Sequence, residues 1–282
     1  MSAARPHPAL ADFLDRYSRL FILTGAGCST DSGIPDYRDA DGQWKRSPPM
    51  TLQTFMSGVP ARARYWARSM IGWRQFGSVM PNAAHRALAR LEEIGRVRLL
   101  VTQNVDGLHE AAGSRDVVDL HGRLDQVRCM ENEHRLPRAV MQEMLMRANP
   151  AWTELDAKVA PDGDADLDGH DFSQFHVPAC PHCGGVLKPD VVFFGEAVPP
   201  ERGEKIRQAL AESDAMLVVG SSLMVHSGFR HARAAAAAGL PVAAINLGRT
   251  RADDFLSLKI SEPCAQALSF VLEQGMPYSA AP

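Results

Sequence analysis

An apolar run, Leu20-Phe21-Ile22-Leu23, feeds into Gly25-Ala26-Gly27-Cys28-Ser29-Thr30-Asp31-Ser32-Gly33-Ile34-Pro35-Asp36-Tyr37-Arg38. A buried strand that ends in glycines restricts the chain to folds in which a tight turn follows the strand. Without side chains at Gly25 and Gly27, a phosphate can approach the main-chain N–H groups, and the start of a following helix adds partial positive charge. A tight turn that binds nothing fits Gly-x-Gly equally well. In the dehydrogenase fingerprint a third glycine follows three residues after the second, with an acidic residue for the ribose further on. Here the next glycine is Gly33, so ordinary hydride transfer is disfavoured.

The rest of the chain alternates in the same way. Pro81-Asn82 opens an apolar-periodic helix through Ala84, Leu88, Leu91 and Ile94, and Val97–Val101 follows as a strand. The stretch 200–213 leads into strand 215–219, and 228–239 leads into strand 242–245. Repeated crossovers between nearly continuous apolar strands imply an α/β fold with a parallel sheet covered on both faces. Gly25, Gln103, Gly220 and Asn246 each follow a strand, which gathers them along the rim where open α/β sheets bind ligands. The stretches 36–80 and 128–185 break the pattern and read as insertions forming a second domain.

A chain of 282 residues with net charge −3 has no basic block to bind nucleic acid. No run of about eighteen apolar residues is present, so a membrane span is not expected. The N-terminal Met1–Pro8 lacks the apolar core of a secretory signal, and the cytoplasm is the expected compartment. Cys180-Pro181-His182-Cys183 has the spacing of a metal knuckle.

Five further segments accompany the glycine motif: Thr102–His109 (TQNVDGLH), Asp119-Leu120-His121-Gly122, Val191–Glu196 (VVFFGE), Gly220–Val225 (GSSLMV) and Ile245-Asn246-Leu247-Gly248. In this order they resemble the sirtuins, NAD-dependent protein-lysine deacylases, over about Leu20 to Cys264. The segments Tyr65-Trp66-Ala67-Arg68, Ala160-Pro161-Asp162-Gly163-Asp164 and Leu187–Gly195 are most similar to the class II branch with the lipoamidase-type members.

The resemblance implies a Rossmann-like parallel-sheet domain, residues 1–48, 81–127 and 186–282. A smaller inserted domain, 49–80 and 128–185, would combine a helical module with a zinc-ribbon-like one. It implies NAD as co-substrate, contacted by Gly25, Ala26, Gly27, Cys28, Asp36, Tyr37, Arg38, Gln103, Asn104, Val105, Asp106, Gly220, Ser221, Ser222, Asn246, Leu247, Gly248 and, through its backbone, Cys264. Asp106 would accept the carboxamide N–H, Asn104 would order a water, and Asp36–Arg38 would close over the cofactor as a loop. His121 would be the general base, because an imidazole titrating near neutrality can take a proton from a ribose hydroxyl. The hydroxyl then carries the acyl group away on ADP-ribose.

Acylated-lysine proteins would be the partners. A peptide would add as a strand between Val191-Val192-Phe193-Phe194-Gly195-Glu196 and the segment of Leu223 and Val225, with Val192 and Phe194 as tunnel walls. Tyr65 and Arg68, three apart on a helix, could both face the acyl tunnel and bind a carboxylated acyl group; alternatively Tyr65 packs and Arg68 is solvated. His85 and His109 are expected to cap or pack helices.

Sirtuins commonly present two C-x-x-C knuckles to a structural zinc. Here the first reads Cys129-Met130-Glu131-Asn132, which leaves Cys129, Cys180 and Cys183 with His134 as a possible fourth ligand, or a degenerate site held by packing. Asp164–Gly169 (DADLDG) opens like a calcium loop, but its twelfth position is Phe175, so it reads as a solvated acidic loop. A protein ADP-ribosyltransferase, or a weakly catalytic NAD or acyl-lysine sensor, are the alternative functions.

Overall fold

The computed structural model describes residues 7–45, 49–155, 157, 162–167 and 169–273. Of the motifs above, Met1–Pro6, Ala160, Pro161 and Asp168 lie outside the described residues. The elements run α1 (Pro8–Arg16), β1 (Leu20–Thr24), α2 (Leu52–Met56), α3 (Val59–Phe76), α4 (Ala83–Glu93), β2 (Val97–Thr102), α5 (Leu108–Ala111) and β3 (Val117–Asp119). Then come β4 (Gly122–Cys129), β5 (Arg135–Pro137), α6 (Arg138–Ala148), β6 (Leu187–Val191), α7 (Pro200–Ala211) and β7 (Ala215–Val219). The chain closes with α8 (His226–Ala237), β8 (Val242–Ile245), β9 (Leu258–Ile260), α9 (Cys264–Leu268) and α10 (Phe270–Glu273).

A six-stranded parallel sheet has the order β3-β2-β1-β7-β8-β9. Strand order reverses between β1 and β7, the topological switch point of a dinucleotide-binding sheet. Alternate residues supply two cores, as strands buried on both faces must. Leu20 and Ile22 pack with α1, α4, α9 and α10 on one side, whereas Phe21 and Leu23 pack with α7 and α8 on the other. The α4 entry is fixed by a capping box in which Asn82 accepts from the helix N–H groups and His85 accepts from Asn82 N. That bears out the capping role expected of His85.

Register decides the rim. Thr24 lies opposite both Thr102 and Val219, and Val219 opposite Ile245. Gly25, Gln103, Gly220 and Asn246 therefore leave the sheet side by side, as their positions after strands implied.

A second, three-stranded antiparallel sheet has the order β5-β4-β6. It shares a core with α2, α3 and α6 built on Phe55, Trp66, Met70, Met141 and Leu187. Trp66 donates its indole N–H to Leu187 O at 3.1 Å, which fastens α3 to β6. This sheet draws β4 and β6 largely from stretches grouped by sequence with the larger domain.

The expected solvated acidic loop is not found at Asp164, which is 4 % exposed. Gly72 of α3 lets this segment approach so closely that a Cβ there would sit 2.0 Å from Gly163 O. Burial, reinforced by Asp162, raises the Asp164 carboxyl well above its ordinary range, and Arg68 and Arg138 oppose the rise.

Gly220 combines φ +64° with a hypothetical Cβ only 2.1 Å from Cys28 N. Gly33 has φ +92° but open space around it. Gly33→Ala should cost about 1–2 kcal/mol, the left-handed penalty alone. Gly220→Ala adds a backbone clash and should cost clearly more, measured as the difference in unfolding free energy by denaturant titration; equal losses would contradict this reading of the turn.

Candidate active site and metal knuckle

The glycine turn is built for contact between backbones. Gly25 N donates to Val219 O at 3.0 Å and Gly27 N to Gly220 O at 2.8 Å, and a Cβ on Gly27 would lie 3.0 Å from Gly220 Cα. These two N–H groups, read from sequence as open to phosphate, are thus used to join β1 to β7. Cys28 follows in a 3-10 turn, and burial raises its thiol pKa well above the ordinary value.

Beyond this turn a polar cluster forms at the end of β2. Asn104 Nδ2 donates to Gly25 O at 3.1 Å and to Ser29 Oγ at 3.0 Å, and Ser29 Oγ donates to Asp106 Oδ2 at 2.7 Å. Asp106 Oδ1 accepts from Leu108 N at 3.0 Å. Burial raises the Asp106 carboxyl pKa, and these hydrogen bonds oppose the rise. A gap of about 30 Å³ separates polar Ser29, Asn104 and Asp106 from apolar Ile34, Tyr37 and Phe76, with Ala26, Gln103 and Val105 completing its wall. A wider recess of about 470 Å³ between α3 and residues 170–175 contains none of these groups.

Gln103 joins this cluster to His121. Its side chain donates to Thr24 O at 3.2 Å and Ser221 Oγ at 2.8 Å, and its carbonyl lies 2.9 Å from His121 Nδ1. A carbonyl only accepts, so Nδ1 carries the proton and the Nε2 of a neutral ring holds the lone pair. Nε2 sits 2.7 Å from Ser227 Oγ. Burial lowers the His121 pKa, Arg202 lowers it further, and the bond to Gln103 O opposes.

Ser29, Ser227, Thr24 and Thr102 were missed from sequence. Single hydroxyl residues carry no spacing signal, and only their strand-end or helix-start positions could have drawn attention to them. Behind the cluster, Cys28, His85 and His109 bring their ligand atoms within 4.8 Å of one another. Hydrogen bonds already engage His85 with Asn82 N and Ser29 Oγ, and His109 Nε2 with Thr24 Oγ1 at 2.8 Å. Burial lowers the His85 pKa to about 4 and that of His109 well below its ordinary value, so both stay neutral.

The loop of Asp36, Tyr37 and Arg38 crosses the rim. Arg38 donates to Gly42 O at 2.7 Å and stacks over Trp44 at 4.0 Å, while Asp36 pairs with Lys45. The loop rests on the far rim, where Arg249 N donates to Ala40 O at 2.9 Å and a Cβ on Gly248 would meet that same oxygen at 2.6 Å. Asn246 Nδ2 donates to Gly248 O at 3.0 Å, Leu247 is 67 % exposed, and Ser222 O accepts from Arg251 N at 2.8 Å. Cys264 opens α9 with its side chain in the core.

The two segments expected as edge strands are only partly strands. Regular pairing stops at Val191, after which Val192 N donates to His121 O at 2.7 Å and Phe194 bridges Thr51. The segment of Leu223 and Val225 is a loop in which Leu223, 1 % exposed, takes φ 57°. A bulky residue in that region carries strain of about 1–3 kcal/mol, held here by burial of its side chain and by Leu223 N donating to Ser221 Oγ at 3.2 Å.

Glu196 braces the Phe193–Gly195 turn instead of facing out. Its carboxylate takes Lys188 Nζ at 3.0 Å, Phe193 N at 3.0 Å and Arg128. Lys188 is fully buried, with its ammonium 4.4 Å from the Phe193 ring centre. Tyr65 packs on that same ring at 5.3 Å, whereas Arg68 donates to Ala165 O at 2.9 Å. The structure therefore packs Tyr65 against the Phe193 ring and ties Arg68 to the 162–165 segment.

Cys129, His134, Cys180 and Cys183 bring their ligand atoms within 4.8 Å of one another and could hold a zinc ion. Cys129 Sγ lies 3.6 Å from Cys183 Sγ, and Cys180 Sγ 3.6 Å from His134 Nδ1. Tetrahedral zinc with sulfur bonds of about 2.3 Å spaces its ligands about 3.8 Å apart, so the donor set fits, with His134 as the fourth ligand. Asn132 instead hydrogen-bonds Cys183, whose thiol is lowered to about 6 chiefly by Gly185 N–H and also by Asn132, Cys129 and His134.

A dinucleotide-type rim, a buried acid–amide–hydroxyl cluster beside a neutral imidazole, and a Cys₃His knuckle define a nucleotide-site α/β protein with a metal module. The chain belongs to the Sir2 family, whose profile matches residues 25–227. It is 66% identical over 264 residues to an NAD-dependent protein deacetylase of Bordetella bronchiseptica, covering 94% of this chain and 96% of the relative. It is 60% identical over 271 residues to NAD-dependent protein deacetylase 2 of Bradyrhizobium diazoefficiens, covering 96% and 99%. A solved structure of Sir2 with a p53 peptide and NAD⁺ superposes with a TM-score of 0.74 at 28% identity, covering 96% of this chain and 99% of that one. Another, Sir2 with an inhibitor, 2′-O-acetyl-ADP-ribose and deacetylated p53 peptide, gives 0.74 at 27% identity over 95% and 98%.

Zinc should be found at near one equivalent per chain by elemental analysis. Cys180→Ser should lose both the metal and thermal stability, because metal-binding free energy is folding free energy in such modules. Protein that is metal-free and melts identically with and without chelator would contradict the assignment.

Proposed function

We propose that this chain is an NAD-dependent protein-lysine deacylase. The observation that carries the reading is the hydrogen-bonded run Asp106–Ser29–Asn104 and Gln103–His121 on the rim of the switch point. The relatives named NAD-dependent protein deacetylase support it, as does the sirtuin structure holding an acetyl-ADP-ribose. NAD would supply a ribose carbon whose bond to nicotinamide breaks as the acyl amide oxygen attacks in line.

In this reading Asp106 accepts the carboxamide N–H, with Ser29 and Leu108 N holding its oxygens in place, and Asn104 orients a water. Gly25–Cys28, Asp36–Arg38, Ser221, Ser222, Asn246–Gly248 and the Cys264 backbone surround the dinucleotide. Neutral His121 takes the proton of a ribose hydroxyl, which then captures the acyl carbon. Positioning and exclusion of water do most of the work. The peptide adds between Val191–Glu196 and Leu223–Val225, and Glu196 acts by bracing that turn.

Residues 49–80 and 128–185 form the smaller domain in this reading, supported by the shared core of α2, α3 and α6. Acylated-lysine proteins are the partners, not nucleic acid, in keeping with a net charge of −3. The cytoplasm is the compartment; among the described residues no helix is long and apolar enough to cross a membrane.

Peptides carrying acetyl-lysine, incubated with NAD and followed by mass spectrometry, should yield acyl-ADP-ribose. ADP-ribosylated protein, or no product, would favour the transferase or sensor. His121→Ala should slow acyl transfer by about 10²–10⁴, the worth of a positioned base, with nicotinamide exchange affected less; near wild-type deacylation would remove His121 from this role.

Tyr65 is buried against the Phe193 ring, and Arg68 is engaged by Ala165 O, which favours an uncharged acyl group over a carboxylated one within the class II reading. Arg68→Met should leave the kcat/KM ratio of succinyl- to acetyl-lysine peptides unchanged. A ratio that falls by about tenfold or more, the loss of a hydrogen bond to a charged group, would restore the carboxylate role.

A further inference from the structure

The bond between His121 Nε2 and Ser227 Oγ, at 2.7 Å, involves the very lone pair that a base at this position must use. Nδ1 donates to Gln103 O, so Ser227 is the donor and Nε2 the acceptor in the neutral ring. Gly228 is what lets Ser227 come this close. A Cβ on Gly228 would sit 2.3 Å from Gln103 Oε1, so glycine there lets the first turn of α8 lie against the β2 end while the Gln103 amide keeps its bonds to Thr24 O and Ser221 Oγ. Gln103 and Ser227 grip the imidazole from its two nitrogens, and both are placed by the same contact.

We propose that Ser227 is a positioning residue that holds His121 in the single neutral tautomer and ring orientation whose Nε2 lone pair serves as the base. The inference rests on the deacylase reading of His121. Rotation of Ser227 about its one χ1 angle moves the hydroxyl to another staggered well and uncovers Nε2 when a ribose hydroxyl arrives. Until then the ring cannot flip without breaking both bonds.

A hydroxyl that donates to Nε2 favours the unprotonated ring. The start of α8 acts in the same sense, because a helix N-terminus disfavours a cation. Arg202 on α7 also disfavours the imidazolium. Asp119, two residues before His121, is pushed up to about 7 by burial and Glu110, against the opposing Arg123 and Arg202. Asp106, on the β2 side, is bound by Ser29 and Leu108 N. On α8 itself His226 is exposed, and Arg230 donates to His231 at 3.3 Å. With Ser227 removed, the neutral ring loses one stabilising bond and the imidazole becomes more basic.

The test uses Ser227→Ala, with Ser227→Thr as the conservative variant, assayed for kcat/KM on an acetyl-lysine peptide across pH and, in parallel, for nicotinamide exchange. In Ser227→Ala the acid limb should move to higher pH by about three- to tenfold in the ionisation constant, the worth of one neutral hydrogen bond. KM for NAD and nicotinamide exchange should change little, and Ser227→Thr should return the limb toward wild type. Nitrogen NMR of His121 in the unmodified enzyme gives a reading that needs no variant to fold: Nδ1 should be protonated and Nε2 not. An acid limb unmoved in Ser227→Ala, or a wild-type ring protonated at Nε2 near neutral pH, overturns the proposal. Should His121→Ala keep its deacylation, the base assignment itself fails; an inactive His121→Ala beside an unshifted Ser227→Ala discards only the role of Ser227.

Discussion

The contact of Gly25 and Gly27 with Gly220 is the constraint on which the site depends. Two strand ends approach until backbone meets backbone, and the N–H groups of Gly25 and Gly27 close onto the carbonyl groups of Val219 and Gly220 at the end of β7. That approach puts Ser221 within reach of Gln103, and Gln103 in turn holds His121. The same turn delivers Ser29 between Asn104 and Asp106. Any side chain in the contact would separate β1 from β7 at the point where the strand order reverses, and the polar groups would no longer share one pocket. Precision of this kind comes from rigid elements meeting, since sites carried on strand ends hold their geometry better than sites on free loops.

Buried charge performs a parallel task beyond the end of β6. Lys188, without solvent exposure, is neutralised by Glu196, and Glu196 also binds Phe193 N and Arg128. Asp164 is similarly enclosed, opposite Arg68 and Arg138. Such groups add little net stability, because desolvation offsets attraction, yet removing one partner leaves an uncompensated charge. They are well suited to fixing one arrangement of a turn that would otherwise have several. The turn that Glu196 fixes carries Phe193 and Phe194 next to the loop of Trp44, whose ring lies 6.0 Å from that of Phe194.

Histidine chemistry divides by hydrogen-bond partner. His85, His109 and His121 are all pushed by burial toward the neutral form. For His85 and His109 neutrality serves packing, with the nitrogens used on a helix cap and on strand-end hydroxyls. For His121 the partners are a carbonyl and a rotatable hydroxyl at the rim, so its one lone pair is engaged by a group that can turn away. Residue type is the same in all three; the neighbours differ.

Local pattern was enough for β1, β2, β7 and β8 but not for the short edge strands β3 and β9, because strand and helix periodicities are written in consecutive residues and need several of them to show. The strand after Ile94, the capped start of α4, β7, β8 and the common rim of Gly25, Gln103, Gly220 and Asn246 all follow from apolar runs that end in small or polar residues. The motif order was enough for the Sir2 family, and the C-x-x-C spacing for the metal knuckle. Ser29, Ser227 and the buried Lys188 were not legible, since a lone hydroxyl or lysine means nothing until a distant segment is brought to it. Asp164 reads as a solvated acid along the chain and becomes a buried one only where Gly72 admits its segment against α3. The use of the glycine N–H groups was likewise decided by β7, some two hundred residues along the chain, and Arg68 by the segment near Ala165. Sequence by itself determined which elements form and which residue types line the rim, because those depend on neighbours in the chain. Only tertiary structure decided which donor meets which acceptor, because hydrogen bonds and desolvation depend on distances of a few ångströms between residues remote in sequence.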